Sequence, residues 1–260
     1  MRRPAWGWIA VGAIVLAAWL YFTPPGLLGK ADAIAYAVCA RDPSHSPFLG
    51  NRQMPLCYRC TGMHLATLLT LAVLAWRAPR RGGYPRGLAA WVLGGLFLAF
   101  ALDGTNAFVS DFLHHPWLYT PNNILRLFTG LGMGIVIGAM LYAVAQQAMW
   151  ANSHPEPALT NRRLAALLLA AAALGGLVLT NNPLVLYPVA LLTTADVVGL
   201  LSAIYALFAL GLTRREGQAH TWGELTDVFF VGWVIAMIQL SLMAWLRFSL
   251  THTWGPYPKI

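Results

Sequence analysis

Seven long apolar runs are the feature that most constrains how this chain can fold. Each run has 16 to 22 residues, and a helix of that length, at ~1.5 Å per residue, approaches the ~30 Å hydrocarbon core of a bilayer. The segments between the runs are too short to bury a separate soluble core. The pattern predicts an all-α fold, a polytopic transmembrane helical bundle of about seven spans. The runs cover residues 6–22, 61–76, 87–102, 124–145, 164–180, 197–212 and 228–245.

Charge supports the same class of protein and predicts its orientation. Only 10% of the 260 residues are charged, against roughly 25% in soluble domains. The net charge of +8 lies mostly in basic pairs and clusters in the loops on one side, which is typical of topology and not of nucleic-acid binding. We therefore expect no nucleic-acid partner, a lipid bilayer around the chain, a cytoplasmic N-terminus and an extracytoplasmic C-terminus.

The loops divide the chain into three segments. Residues 1–29 are predicted to be an N-terminal anchor helix, because its apolar run ends in bulky aromatic residues instead of the small residues of a cleavage site. Residues 30–150 complete a front half of four helices and begin with a long extracytoplasmic loop. Residues 151–260 form a C-terminal three-helix half.

Two details of the predicted helices bear on packing. Gly130, Gly134 and Gly138 recur every four residues in the fourth run, which predicts a close contact between two helices. Residues 184–192 lie between a proline and a pair of threonines and are too short to span a membrane. We expect them to form an interfacial or re-entrant piece.

Ionisable residues lie at the extracytoplasmic edge of two successive runs. Asp103 ends the third run and Arg126 lies among apolar residues at the start of the fourth. An unpaired charge at that depth would cost several kcal/mol, so we expect the two to pair. Two interpretations remain open: a structural ion pair that locks two helices, or an Arg126 that binds an anionic substrate group while Asp103 or Asn106 orients it.

All three cysteines lie within 22 residues, and Cys57 and Cys60 form a C-x-x-C at a helix start, where backbone N–H groups favour a thiolate. Three interpretations remain open. Cys39, Cys57 and Cys60 could hold a metal ion with His45 as the nearest fourth ligand; they could carry disulfide chemistry with one resolving thiol; or they could be inert buried thiols. His64 shares a helix face with Cys60 and is interpreted as a core or interfacial histidine. Other candidates for a fourth ligand are Asp42, His64, His114 and His115.

Four short segments resemble an uncharacterised bacterial and archaeal membrane-protein family, the domain of unknown function 2085. They are CARDPSHS (39–46), MPLCYRCTG (54–62), DGTN (103–106) and NILRLFTG (123–130). The resemblance covers roughly residues 30–140 and implies a bacterial or archaeal plasma membrane and one site built from these segments, without an established activity. Two departures stand out: Ala40 replaces a histidine that often follows the first cysteine, and Pro47 separates Ser46 from Phe48.

Together these features predict an extracytoplasmic site that hydrolyses or transfers a group on a lipid-borne or small anionic substrate. The candidate catalytic residues are Asp103 and Arg126; the candidate substrate-binding residues are Arg41, Arg59 and Asn106; the candidate metal ligands are Cys39, Cys57, Cys60 and His45, with zinc as the cofactor if they bind a metal. Two alternatives stand beside the enzyme: a transporter of a small anion or lipid, and a structural or assembly protein whose cysteine loop is a metal or disulfide staple. The few polar residues at mid-membrane depth count against transport.

Overall fold

The computed structural model describes residues 6–255, and eight α-helices account for most of that range. The helices are α1 (Trp6–Phe22), α2 (Leu27–Val38), α3 (Tyr58–Arg77), α4 (Leu88–Leu113), α5 (Asn123–Met149), α6 (Asn161–Leu179), α7 (Pro183–Leu212) and α8 (Thr226–Thr251). Four short strands accompany them: β1 (Phe48–Leu49), β2 (Arg52–Gln53), β3 (Arg81–Gly83) and β4 (His154–Pro157). The outermost residues of both termini, and with them the predicted sides of the termini, lie outside the described range.

Six of these helices, α3 to α8, are each long and apolar enough to cross a membrane. α1 and α2 are bent by 107° at their junction, and as one broken span they give a seventh. The bend follows from Pro24, Pro25 and Gly26, which interrupt the helix between them. The predicted all-α polytopic bundle is confirmed, and the chain is a multi-pass membrane protein. The division into three segments stays a prediction.

The bundle has two structurally different ends. At the cysteine end, which we define by Cys39 and Cys57, the C-terminus of α2 and the N-terminus of α3 meet. At the opposite end, β3 pairs in parallel with β4, and Arg80 stacks over the ring of Trp150 at 3.5 Å from its centroid. These contacts tie the loops of the opposite end together. The three thiols lie at the other end of the bundle.

The centre of the bundle is a close contact between α3 and α5. A Cβ on Gly130 or Gly134 would collide with the backbone oxygen of Arg59 or Met63, and one on Gly138 would lie 2.7 Å from the Cβ of Thr70. The two backbones therefore touch along more than two helical turns, which only glycine allows. The predicted glycine contact is confirmed.

The prediction for residues 184–192 is wrong, because α7 runs without a break from Pro183 to Leu212. Asn182 caps its start through a bond from Leu184 N to Oδ1 at 3.0 Å. Pro188 lies only one turn later and removes a single backbone bond there. The threonine pair does not end the helix either, because both hydroxyls donate to backbone oxygens one turn earlier, each at 2.7 Å.

The third apolar run, expected to end at residue 102, is also too short, because α4 continues to Leu113. Asp103 is 1% exposed and Asn106 is fully buried within this helix. A helix can carry such polar side chains at this depth when each finds a partner, and both do. The longer α4 brings Asp103 inside the bundle, where it faces α3 and α5.

Candidate functional site

The loop between α2 and α3 is compact, although its prolines exclude a long helix. Asp42 caps a short 3-10 turn, Pro43–His45, by accepting a bond from Ser44 N at 2.8 Å. β1 and β2 form a hairpin, and Gln53 Nε2 donates to Arg41 O at 2.7 Å and to the hydroxyl of Ser46 at 2.9 Å. Asn123, the first residue of α5, donates from Nδ2 to Ser44 O at 3.0 Å. The loop is thus fixed against the start of α5.

This loop and its flanking helices bring the three cysteines together. Cys39 follows the last residue of α2, Cys57 precedes the first residue of α3, and Cys60 lies in the first turn of α3. Their sulfur atoms all lie within 4.8 Å of one another. They pack in an apolar cluster that includes residues of α7 and α8. The gathering predicted from their spacing in the sequence is therefore present, with all three as free thiols.

The surroundings of Cys39 favour its negative form. Hydrogen bonds from the thiols of Cys57 and Cys60 hold the pKa of Cys39 well below its ordinary value, against the effect of burial. The pKa of Cys57 is raised to about 11, chiefly because its thiol is engaged with Cys39. Arg247 of α8 donates from Nη1 to Cys39 O at 2.6 Å and to Tyr36 O at 2.8 Å, which fixes the backbone at this point. A cluster with one favoured thiolate is suited to binding a soft cation.

One turn beyond Cys60, a buried histidine meets an aspartate from α7. His64 Nδ1 and Asp196 Oδ2 are 2.8 Å apart, and the two residues are 6% and 4% exposed. The sequence interpretation of His64 as a core residue did not include this partner. The sequence signal for Asp196 is its position at the start of an apolar run. An ionisable residue in a membrane segment is costly unless it is paired, so Asp196 should have been expected to have a partner.

The partner of Asp103 is Arg59, so the expected pairing with Arg126 is wrong. Asp103 Oδ2 accepts from Arg59 Nη2 at 2.5 Å and from the hydroxyl of Thr129 at 3.2 Å, while Oδ1 accepts from the hydroxyl of Tyr119 at 2.8 Å. Arg59 lies in the first turn of α3, and its side chain, instead of that of Arg126, forms the salt bridge with Asp103 on α4. Burial, reinforced by the bond to Asp103, raises the pKa of Tyr119 to about 12.

Arg126 instead lines a pocket of about 860 Å³ at the cysteine end, which we call the polar pocket. Its walls come from the loop after α2, the end of α4 and the start of α5. Arg126 is 6% exposed, donates from Nη1 to Asn123 Oδ1 at 3.2 Å, and makes no salt bridge within residues 6–255. The charged and imidazole side chains of the lining are Asp42, His45, Asp111, His114, His115 and Arg126.

The remaining predicted site residues have other surroundings. Arg41 donates to Asp32 Oδ1 at 2.8 Å and to Trp254 O at 3.1 Å, and so braces the loop. Asn106 donates to Tyr119 O and accepts from Leu118 N, each at 2.9 Å, and so holds the chain after α4. His45 lies in the wall of the polar pocket, whereas the metal-ligand group comprises the three cysteines.

Fold and site together define a polytopic helical membrane protein with a thiol cluster and an adjoining polar pocket at one end. Residues 39–141 match the model of a family described as a predicted membrane protein, DUF2085, and this confirms the resemblance carried by the motifs. The matched range contains the thiol cluster, Asp103 and Arg126, and it includes α3, α4 and the larger part of α5. No curated protein and no solved structure matches the chain.

Proposed function

We propose that the polar pocket binds an anionic group, carried by a lipid or by a small molecule, and that the protein hydrolyses or transfers that group. The observation that carries the proposal is Arg126, a buried guanidinium in the pocket wall with no carboxylate within salt-bridge distance among the described residues. A guanidinium at this depth needs a counter-charge, and its planar pair of N–H donors fits phosphate or carboxylate.

The neighbouring ion pair supports this role. Asp103 is bonded to Arg59 and makes no salt bridge to Arg126. Arg59 acts on Arg126 as a nearby positive charge, while Asp111 and Asp103 act on it as weaker negative charges. An anion bound directly to Arg126 would supply the counter-charge that these carboxylates supply only from a distance. In this proposal Arg126 contacts the substrate, whereas Asp103 is a positioning residue that fixes Arg59.

The pocket also offers groups for proton transfer and access for a lipid. His45, His114 and His115 line it, and histidine exchanges protons near neutral pH. On the end of α4 that forms one wall, Phe108 and Phe112 are 73% and 75% exposed, as expected for side chains that face acyl chains. A substrate with an anionic headgroup could reach the pocket from the bilayer.

The test compares the full-length protein with Arg126→Gln and with Arg52→Gln as a matched control. Arg52 is an arginine at the same end with a 47% exposed side chain, and it is bound to Asp32 instead of lining the pocket. The probes are inorganic phosphate and vesicles with or without phosphatidic acid. Loss of a charge-assisted contact worth about 1.5–3 kcal/mol predicts that Arg126→Gln binds roughly 10- to 100-fold more weakly, while Arg52→Gln binds like wild type.

Release of phosphate from phosphatidic acid measures the second half of the proposal. We expect turnover by the wild type, retention in Arg52→Gln and loss in Arg126→Gln. Equal binding by all three proteins would refute the anion site. Normal binding without turnover would refute hydrolysis of this headgroup and leave a binding protein.

A further inference from the structure

We infer that Cys39, Cys57, Cys60 and His64 form a closed four-ligand site for a soft divalent metal ion, with Zn²⁺ as the best match, and that Asp196 positions the imidazole. The inference concerns residues beside the polar pocket, and it does not depend on the function proposed for that pocket. It also replaces the fourth ligand that the sequence favoured.

The spacing on α3 places Cys60 and His64 on one helix face. They are four residues apart, and residues so spaced are neighbours on a helix surface, while Cys57 is the residue that directly precedes the helix. Cys39 approaches the same face from the end of α2, so that the three sulfur atoms lie within 4.8 Å of one another. Tetrahedral zinc with Zn–S bonds of about 2.3 Å holds sulfurs roughly 3.8 Å apart. A small contraction brings the sulfurs to that spacing, and the imidazole of His64, which lies outside this group of three, would move in as the fourth ligand.

His64 has the carboxylate partner expected of a metal ligand. Its Nδ1 is engaged with Asp196 Oδ2 at 2.8 Å, which leaves Nε2 for coordination. A ligating histidine usually has its other nitrogen bonded to a carboxylate or carbonyl, which fixes the tautomer and the ring. Val197, adjacent to Asp196 in the chain, packs in the same apolar cluster as the cysteines. In this site Asp196 would fix the ring of His64, which accounts for a buried ionisable pair inside a membrane helix bundle.

The charges around the cluster match the same chemistry. When Zn²⁺ displaces three thiol protons, four metal–ligand bonds form and the site carries a net charge of about −1. The guanidinium of Arg247 donates to the backbone oxygen of Cys39, and Arg41 is close enough to interact electrostatically with Cys39. Both offset that charge. Three sulfurs and one imidazole are a set typical of closed structural zinc sites.

His45 is the rival ligand, and its position argues against it. It ends the 3-10 turn in the loop and lines the polar pocket. His64 instead lies one turn from Cys60 on the same helix. The two histidines therefore give opposite expectations in a substitution experiment.

The experiment measures metal in the full-length protein purified in detergent. We expect about one zinc per chain in the wild type and, after replacement by Co²⁺, the absorption of a tetrahedral site with three thiolates. His64→Ala should lose at least tenfold in zinc affinity in chelator competition, and Asp196→Asn should lose roughly 10- to 100-fold. His45→Ala is the matched control and should keep the wild-type stoichiometry and affinity.

His64→Cys keeps the inference testable if the alanine variant does not fold. It should bind one Co²⁺ and shift the spectrum towards that of four thiolates, because the new sulfur replaces the imidazole. An unchanged spectrum would overturn the assignment of His64. So would loss of zinc in His45→Ala with retention in His64→Ala, or a wild-type protein without metal in which thiol labelling finds two cysteines oxidised.

Discussion

Replacing Asp103 with asparagine tests the ion pair that joins α3 to α4. The asparagine keeps the size of the side chain and can still accept a bond from Tyr119. One of its two polar atoms becomes an amide N–H₂ group, however, and facing Arg59 this group would meet a guanidinium that can only donate. In the other orientation the amide oxygen keeps the bond from Arg59 and the N–H₂ group can donate to the hydroxyl oxygen of Tyr119, but the negative charge that balances Arg59 is still lost.

The burial of the pair sets the size of the effect. Removal of one partner from a buried ion pair costs about 3–5 kcal/mol, because the remaining charge is left uncompensated. The side chain of Asp103 is 1% exposed but that of Arg59 is 21% exposed, so Arg59 recovers part of its hydration. We therefore expect a loss of about 3 kcal/mol in the free energy of unfolding, at the lower end of that range.

Detergent-induced unfolding, followed by tryptophan fluorescence, measures this loss. The control is Asp111→Asn, on the same helix two turns later, where the residue is exposed and a change within about 0.5 kcal/mol is expected. The double variant Asp103→Asn/Arg59→Gln should be more stable than the sum of the single effects by roughly 0.5–3 kcal/mol. If Asp103→Asn is no worse than the control, or if the two single effects simply add, the ion pair does not hold these helices together.

Gly134→Ala should cost about 1–3 kcal/mol, since its Cβ would meet the backbone of Met63 on α3, whereas Gly176→Ala has nothing within 4 Å and should be neutral or stabilising in the same unfolding assay. Removal of metal with a membrane-compatible chelator should lower the unfolding temperature, because the metal ion would join α2 to α3. It should also weaken phosphate binding, because the loop after Cys39 forms one wall of the polar pocket. Identical melting curves with and without chelator would contradict this. Tyr119 should ionise near pH 12, so its stabilising contribution is complete below its unfolded value of about 10 and is lost as the pH rises towards 12; the tyrosinate absorbance of wild type minus Tyr119→Phe should titrate there, and a midpoint near 10 would refute the raised pKa.

The sequence carries enough information for the membrane class, the number of spans and the glycine contact. These features depend on the length of each apolar run and on the spacing of small residues within it, so they can be predicted without knowing which helices are neighbours. The gathering of the cysteines was likewise predictable, because two lie one turn apart and the third is 18 residues upstream of Cys57, joined to it by a single loop.

The choice of partners was not predictable in the same way. Whether Asp103 meets Arg59 or Arg126 depends on how α3, α4 and α5 are rotated about their axes, and a single sequence does not contain that angle. Asp196 reaches His64 from 132 residues away, and this contact depends on the packing of α7 against α3. The continuity of α7 was missed because the apolar segment was taken to end at the threonine pair, whose hydroxyls in fact bond to backbone oxygens of the same helix.

The touching backbones of α3 and α5 also limit which parts of the site can move. Helices in such contact cannot slide or rotate against one another without first separating, so α3 and α5 behave as one rigid body. Cys60 belongs to one of these two helices and Arg126 to the other, so the close contact keeps the backbones that carry the thiol and the guanidinium at a fixed separation. If the polar pocket binds a ligand as proposed, the exposed residues 114–118 after α4 are the part of its rim outside this rigid contact.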